Sequence, residues 1–139
     1  MPEGDTIHRS AARLKQVLPG AVVEAAHDNG RFVASQDLLQ STFRAVEARG
    51  KHLLMHLEDG RAIHSHMGMT GSWHVYGLEE PWKKQPRWAA LTLQIRPQSG
   101  GASNVVCFSP KSLDLLTKTQ LRRHPYLNRL GPDLMAAEF

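Results

Sequence analysis

The sequence of 139 residues has little of what several classes of protein require. It contains one cysteine, Cys107, which excludes an intrachain disulfide and a zinc site built from cysteines. No apolar run is long enough to cross a bilayer. The first ten residues include acidic side chains and no apolar stretch, so they do not resemble a secretory signal. We therefore expect a single domain in a reducing cytoplasm, without a membrane partner.

Positive charge is in modest excess. Lys and Arg number 17 against 13 Asp and Glu, giving a formal net charge of +4 and a pI of about 9.6. Such an excess is compatible with nucleic-acid binding but does not require it. The basic residues form four groups: Arg9, Arg13 and Lys15; Arg44, Arg49 and Lys51; Lys83, Lys84 and Arg87, near Trp82 and Trp88; and Lys118, Arg122, Arg123 and Arg129. Each group alone is also explained by a solvated protein face.

Two segments have helical patterns. Apolar residues near the start recur every three or four positions, at Ile7, Ala11, Leu14 and Leu18. Asp5 or Thr6 is expected to cap this helix and Pro19-Gly20 to end it. Thr117 is expected to cap a second, short helix at Lys118–Arg123.

Between these helices, short segments separated by turn residues predict strands. The predicted strands are Ala21–Ala26, Phe43–Ala48, His52–Leu57, Arg61–His66, Ser72–Tyr76, Trp88–Ile95, Val105–Phe108 and Leu113–Leu116, with Arg31–Ala34 as a further candidate and one helical turn within Gln36–Thr42. Trp88–Ile95 alternates cleanly, which predicts Ala90 on one face and Ala89 and Leu91 on the other. We expect a mainly β fold, an antiparallel β-sandwich of about eight strands flanked by an N-terminal helix and a short second helix.

The first residues can supply a nucleophile. Removal of Met1 would leave Pro2 as a secondary amine, and an α-amino group with a pKa of about 7.7–8.0 is largely unprotonated near neutral pH. Such an amine can attack a sugar C1′ to give an iminium ion, and the neighbouring Glu3 can move protons at the sugar. A Met-Pro-Glu start alone, however, is more often inert.

Two further motifs are typical of nucleic-acid enzymes. Arg49-Gly50-Lys51 precedes an apolar strand, so that Lys51 could hold a phosphate or shuttle a proton, or the motif could simply be a charged strand edge. Ser65–Gly71 reads SHMGMTG, and its exposed methionine, Met69, could enter a base stack and fill the space left by an extruded nucleotide. The alternative is a hairpin whose methionine folds back onto the core.

Four histidines lie in or beside the predicted strands, at positions 52, 56, 64 and 66. His64 and His66 share one strand face, which suggests a metal site. No carboxylate or cysteine at ligand spacing joins them, so we favour histidines that face a phosphate backbone or solvent, with no metal site.

Taken together and in this order, MPEG, RGK, SHMGMTG and the C-terminal HPYLNRLGPD resemble the N-terminal domain of the formamidopyrimidine-DNA glycosylase/endonuclease VIII family. The resemblance covers essentially the whole chain. It implies a bifunctional DNA glycosylase and abasic-site lyase that acts on damaged double-stranded DNA, with no obligate protein partner, in the bacterial cytoplasm or nucleoid. Pro2, Glu3 and Lys51 would be catalytic. His66 would contact a phosphate, and Met69 would fill the void beside its neighbours Gly68 and Thr70.

The resemblance also favours one branch of the family. The formamidopyrimidine branch carries an Arg-x-Phe element in a later loop, and Phe108–Leu113 lacks it. MPEGDT at the start and GPDL near the end of this chain look more like endonuclease VIII. We therefore expect oxidised pyrimidines rather than 8-oxoguanine as substrates. Residues 1–131 would form the catalytic domain and residues 132–139 the start of a linker. Family members continue with a helix–two-turn–helix region and often a zinc finger, so no cofactor is expected in this chain, and its own activity would be weak. A catalytically silent DNA-binding module with this fold is the alternative.

Overall fold

The computed structural model describes residues 3–30, 35–98 and 100–123. For residues 3–8 and residue 35 it describes the backbone alone. The first helix, α1, spans Glu3–Val17 and buries Ala11 and Leu14, with Leu18 directly after it. It ends where Pro19 precedes Gly20, whose φ of 84° is accessible at low cost only to glycine. The predicted cap was wrong, because Asp5 and Thr6 lie inside the helix; acidic residues are favourable throughout the first turn, so the helix extends back to Glu3.

Eight strands form two antiparallel sheets within the described residues, which confirms the predicted β-sandwich. The first sheet has the order β1-β6-β7-β5 and the second the order β2-β3-β4-β8. The strands are β1 (Val22–Asp28), β2 (Phe43–Arg49), β3 (His52–Leu57), β4 (Ala62–His66), β5 (Ser72–Gly77), β6 (Ala89–Arg96), β7 (Ser103–Phe108) and β8 (Ser112–Leu116). A single 3-10 turn, Ser35–Leu38, occupies part of the segment predicted to contain a helical turn, whereas the candidate strand 31–34 lies outside the described residues.

The core fills the space between the sheets and extends under α1. Its largest fully buried members include Phe43, Leu53, Met55, Leu91 and Leu93. A buried hydrogen bond from Trp73 Nε1 in β5 to Ser65 Oγ in β4 crosses from one sheet to the other at 2.9 Å. Cys107 is also buried, and burial raises the pKa of its thiol far above the usual range, so the thiol stays protonated.

The start of β6 departs from the predicted alternation. A β-bulge lies between Ala89 and Leu91, which pair with Phe108 and Cys107, and Ala90 is the extra residue. Ala90 and Leu91 are therefore both buried in the main core, whereas Ala89 packs against the outer cluster of Tyr76, Val106 and Phe108. The prediction that Ala90 lies on the face opposite Leu91 was wrong, because alternation fails wherever a strand contains an inserted residue.

The second helix, α2 (Lys118–Arg123), is capped as predicted. The Gln120 N–H donates to Thr117 Oγ1 at 3.1 Å, and the Thr117 N–H donates to Gln120 Oε1 at 2.9 Å, which together form a capping box. Leu121 packs from this helix onto Leu54, Ala62 and Leu116 of the second sheet. Neither described helix combines the length and apolar character needed to span a membrane.

Candidate nucleic-acid interface

Lys51 lies at the tip of the β2–β3 hairpin. Arg49 and His52 are the last strand pair, so Gly50 and Lys51 form a two-residue turn. Gly50 has a φ of 55°, which such a turn requires. Glycine is therefore required at position 50 for its backbone conformation and not for lack of space, since no described atom lies within 4 Å of the position that a Cβ would take. The Lys51 carbonyl accepts a hydrogen bond from the Met67 N–H at 3.3 Å, which brings the turn beside the β4–β5 loop.

The β4–β5 loop presents its two methionines in opposite directions. Met67 is 3% exposed and belongs to the main core, whereas Met69 is 88% exposed. The loop closes through a hydrogen bond from the Gly71 N–H to the Met67 carbonyl at 2.9 Å, and Gly68 adopts a φ of 63°. Met69 is therefore exposed as expected, and the alternative in which it folds back onto the core is wrong; the methionine in the core is Met67.

The β7–β8 turn holds the other side of this loop. Thr70 Oγ1 donates to the Ser109 carbonyl at 3.2 Å, and the Lys111 N–H donates to the His66 carbonyl at 2.8 Å. Ser109 has a φ of 46°, the left-handed conformation in which a non-glycine residue is uncommon. A side chain at Gly68 would stand 3.3 Å from the Lys111 Cβ, so the two turns are closely packed.

A fourth segment joins the same end of the sandwich. The Ser109 N–H donates to the Trp88 carbonyl at 3.0 Å, which ties the β7–β8 turn to the 3-10 turn Pro86–Trp88. Trp88 is 51% exposed, and the Arg87 guanidinium lies 4.9 Å from the centroid of its ring. These bonds connect four turns into one surface, which we call the tip surface: Lys51, Met69, Lys111, Arg87 and Trp88.

The start of α1 points toward the tip surface. Beyond the helix, Gly20 and Ala21 pair with Phe43 at the start of β2, so the C-terminal end of α1 lies at the opposite end of the sandwich. A helix of 15 residues is about 22 Å long, close to the length of the seven-residue strand β2 beside it. The N-terminal half of α1 is therefore directed toward the end of the sandwich that carries Lys51. Pro2 and the side chain of Glu3 are outside the described residues.

The histidines occupy the outer face of the second sheet, and three of them are buried: His52, His56 and His64. His52 Nδ1 lies 2.6 Å from His64 Nε2, and the His52 ring stacks on those of His64 and His66 at centroid distances of 4.9 and 4.4 Å. The expectation that these histidines face phosphates or solvent was wrong for the buried three, because this sheet face also packs, through Leu54, against α2. His66 is partly buried at the end of β4, beside the tip surface.

Acidic partners accompany two of the buried rings. His56 Nε2 lies 3.1 Å from Glu47 Oε1, and His64 Nδ1 lies 3.6 Å from Asp114 Oδ2. No group of three His, Cys, Asp or Glu in the described part of the chain could hold a metal ion.

The basic loop between β5 and β6 packs onto the first sheet through Trp82. The Trp82 ring stacks on Tyr76 at 5.9 Å and meets Phe108 edge-on at 5.7 Å. Lys84 Nζ lies 5.9 Å from the centroid of Phe108. Burial lowers the pKa of the nearby His74, and the charges of Lys84 and Lys83 lower it further. Lys83 and Lys84 of this loop thus place positive charge beside His74 in the first sheet.

Sequence reasoning identified Lys51, His66, Gly68, Met69 and Thr70, and the structure brings all five to one end of the sandwich. It missed that Ser109 and Lys111 hold the β4–β5 loop in place. It also did not predict that Trp82 packs onto the first sheet whereas Trp88 is exposed. The local sequence carries no signal for these contacts, because they depend on β7 lying between β5 and β6 and on β8 pairing with β4.

Comparisons with known proteins identify the family to which the chain is similar. Residues 1–108 match the family model of the formamidopyrimidine-DNA glycosylase N-terminal domain. A probable endonuclease 8 2 of Streptomyces coelicolor is 36% identical over 140 residues, covering 100% of this chain and 48% of that protein. Endonuclease 8 of Escherichia coli is 32% identical, covering 97% of this chain and 50% of that protein. The chain thus spans about half the length of these curated relatives.

A solved structure supports the fold. The Lactococcus lactis Fpg (MutM) protein, in complex with DNA containing N7-benzyl-Fapy-dG, superposes with a TM-score of 0.73. That match covers 92% of this chain and 48% of the other, at 19% sequence identity. At this identity the match establishes the β-sandwich architecture alone.

Proposed function

Because the chain belongs to the formamidopyrimidine-DNA glycosylase family, we propose that it carries the catalytic half of a base-excision DNA repair enzyme, with residues 1–131 as the catalytic domain and 132–139 as the start of a linker. One observation supports the proposal beyond family membership: α1 ends beside the start of β2 and runs back toward the end of the sandwich that bears Lys51 and Met69. A nucleophile at residue 2 would then act beside a cation and an exposed apolar side chain.

The proposed chemistry begins at the Pro2 nitrogen. Its lone pair attacks C1′ of a damaged nucleotide, a C–N bond forms, and the bond between C1′ and the base breaks as the base leaves. Opening of the sugar ring gives an iminium ion, with Glu3 as the group that moves the proton at the ring oxygen. The iminium accepts electrons as a proton leaves C2′ and the C3′–O bond breaks. A second elimination at C5′ and hydrolysis of the iminium then release the sugar remnant and restore the amine.

Residues of the tip surface and its supporting loop would bind the DNA. Lys51, exposed at the β2–β3 turn, would hold a phosphate or transfer a proton at the sugar. Met69 would fill the space left by the extruded nucleotide, because its flexible apolar side chain is exposed on a loop fixed on both sides. Gly68 and Thr70 would set the position of Met69, and His66 would contact a phosphate near the lesion.

We propose oxidised pyrimidines as the preferred lesions. The support is the endonuclease 8 name of the curated relatives together with the β7–β8 turn, which reads Ser109-Pro110-Lys111 rather than Arg-x-Phe. We also propose that this chain alone binds DNA weakly and in a salt-sensitive manner, since half the length of the relatives supplies fewer phosphate contacts, and such contacts dominate affinity.

A borohydride trap tests the chemistry. The protein is incubated with abasic-site duplex and borohydride, which reduces the iminium to a stable crosslink. Intact mass should show that Met1 is absent, and peptide mapping should place the crosslink on Pro2. An N-terminal extension of two residues should abolish the crosslink, and Lys51→Ala should reduce its yield. Pro97→Gly, at the opposite end of β6, is the matched control and should crosslink normally.

The contrary results are equally specific. A crosslink on a lysine instead of Pro2 would refute the assigned nucleophile. Binding of the duplex without any crosslink at high protein concentration would instead favour the catalytically silent DNA-binding module.

A further inference from the structure

Trp88 differs from the other two tryptophans in its surroundings. Trp73 is 5% exposed and hydrogen-bonded in the core, and Trp82 packs between Tyr76 and Phe108. Trp88 is 51% exposed, although it directly precedes the buried strand β6. Exposing so much of a large aromatic ring forgoes the stabilisation that its burial would give, so its position calls for a reason outside the packing of this domain.

The backbone that carries Trp88 is hydrogen-bonded to a neighbouring turn, and its ring contacts a cation. Its backbone carbonyl accepts from the Ser109 N–H at 3.0 Å, and the Ser109 carbonyl accepts from Thr70 Oγ1 at 3.2 Å. The ring itself lies under the Arg87 guanidinium at 4.9 Å, a cation–π distance. Thr70 directly follows Met69, so the indole is connected through Ser109 to the loop that carries the exposed methionine.

The charges around Trp88 indicate the kind of partner. Arg87 stacks on the ring, Lys84 lies in the same loop, and Lys111 follows Ser109 in the adjoining turn. A partner that presents flat π-faces at short intervals along a polyanionic backbone matches this combination of an aromatic face and cations. An acidic peptide offers the charge but not a regular series of π-faces, and nucleic acid offers both.

We propose that Trp88 is a stacking platform for a nucleobase that has lost its pairing or stacking partner next to the lesion, and that Arg87 contacts the adjoining phosphate. The proposal rests on the proposed function, because that function brings DNA to the tip surface. It adds an aromatic contact at the edge of that surface, beyond the amine, the lysine and the methionine. The platform acts by positioning the DNA strand and takes no part in bond breaking.

Equilibrium titration of the full chain tests the platform at low salt. Two probes are used: a short duplex with a tetrahydrofuran abasic analogue, which cannot be cleaved by elimination through C1′, and the same duplex fully paired. Trp88→Ala should lower affinity for the abasic duplex about 5- to 150-fold, as expected for loss of about 1–3 kcal/mol of base stacking. Affinity for the paired duplex should change much less. Trp88→Phe should restore most of the loss.

Two further readouts distinguish stacking from a general effect on structure. Quenching of tryptophan emission by the abasic duplex should largely disappear in Trp88→Phe, which keeps Trp73 and Trp82. Arg87→Ala should reduce the slope of log affinity against log salt by about one, as for a single phosphate contact. Leu78→Ala, which changes a 49% exposed residue in the same loop, is the matched control and should bind both duplexes as the wild type does.

Equal affinity of Trp88→Ala and wild type for the abasic duplex would overturn the platform, and so would equal losses for both duplexes. The borohydride crosslink, measured on the same proteins, keeps the two proposals apart. Trp88-dependent binding without a Pro2 crosslink would refute the chemistry and leave the platform. A Pro2 crosslink with binding that ignores Trp88 would refute the platform alone.

Discussion

Met67 and Met69 are two residues apart, yet truncation of each to alanine should affect a different property. Met67 is 3% exposed in the main core, and Met69 is 88% exposed in the same loop. We predict that Met67→Ala mainly lowers the stability of the fold, whereas Met69→Ala mainly lowers affinity for abasic DNA. The pair controls for composition, since both variants remove the same atoms from the same chain.

The expected magnitudes follow from burial. Truncation of a buried methionine to alanine costs about 2–5 kcal/mol, because the transfer free energy of the side chain is lost and a cavity remains. Met67 should fall in this range, which is a large share of the roughly 5–15 kcal/mol that stabilises a typical domain. Truncation of an exposed residue usually changes stability by less than about 0.5 kcal/mol, and Met69 should follow this rule.

Urea denaturation followed by tryptophan emission measures the first effect, since Trp73 reports on the core from its bond to Ser65. With a slope of about 1–3 kcal/mol per molar urea, a loss of about 2–5 kcal/mol should lower the midpoint of Met67→Ala by at least about 0.7 M at an unchanged slope. Titration with the tetrahydrofuran duplex measures the second effect. Met69→Ala should bind it about tenfold more weakly, because the contact that replaces the lost base stacking is removed.

Two results would refute this reasoning. If Met69→Ala lowered the urea midpoint as much as Met67→Ala, Met69 would pack against the protein, and its exposure could not serve DNA. If Met69→Ala bound the abasic duplex with unchanged affinity while the Pro2 crosslink formed, the enzyme would act without filling the vacated space, and another side chain would have to support the flipped nucleotide.

Two further predictions concern the surroundings of the tip surface. Burial and the charges of Lys84 and Lys83 lower the pKa of His74 in the folded chain. The unfolded chain therefore binds this proton first as the pH falls, and the free energy of unfolding should decrease below about pH 6.5. The decrease, measured from urea midpoints at about pH 7.5 and about pH 5, should be smaller in His74→Gln. Gly71→Ala would place a methyl group 2.9 Å from the Met67 Cα. It should lower the free energy of unfolding, measured by urea denaturation, by about 1–3 kcal/mol and should weaken binding of the abasic duplex. Gly101→Ala is the control and should change neither property, because nothing lies within 4 Å of its added methyl group.

Local patterns predicted the elements of this fold well, because each element satisfies its own requirements. The capping box of Thr117 and Gln120 can be read directly from the sequence, and β3 was predicted to the residue. The inserted Ala90 could not be predicted, because both faces at the start of β6 are apolar and the hydrophobic pattern does not reveal where the bulge lies. The burial of His64 was missed for a related reason, since strand alternation shows which residues share a face but not whether another element covers it.

Assembly of the tip surface lay further beyond local patterns. Lys51 and Met69 could be recognised from their motifs, but the bonds that fix their loops come from residues distant in sequence, such as Ser109 and Lys111. Those partners are backbone groups, so almost any residue type could supply them, and no motif marks their positions. The strand orders bring them together: β7 between β5 and β6 places Ser109 beside Thr70 and Trp88, and β8 beside β4 places Lys111 at His66.

The exposed apolar side chains indicate what kind of partner the tip surface would bind. Four large hydrophobic side chains are exposed in the described part of the chain, and two of them, Met69 and Trp88, lie on the tip surface. The backbone groups beneath them are occupied: the Met67 carbonyl accepts from Gly71, and the Ser109 carbonyl accepts from Thr70. The loops are therefore fixed before any partner arrives, and little ordering entropy remains to oppose binding. With Lys51, Arg87 and Lys111 beside the exposed methionine and indole, the partner that gains most from this end of the sandwich is a polyanion that also offers unstacked apolar faces. Duplex DNA meets that description only where a base is missing or displaced, so the proposed mode of DNA binding would favour damaged over intact duplex.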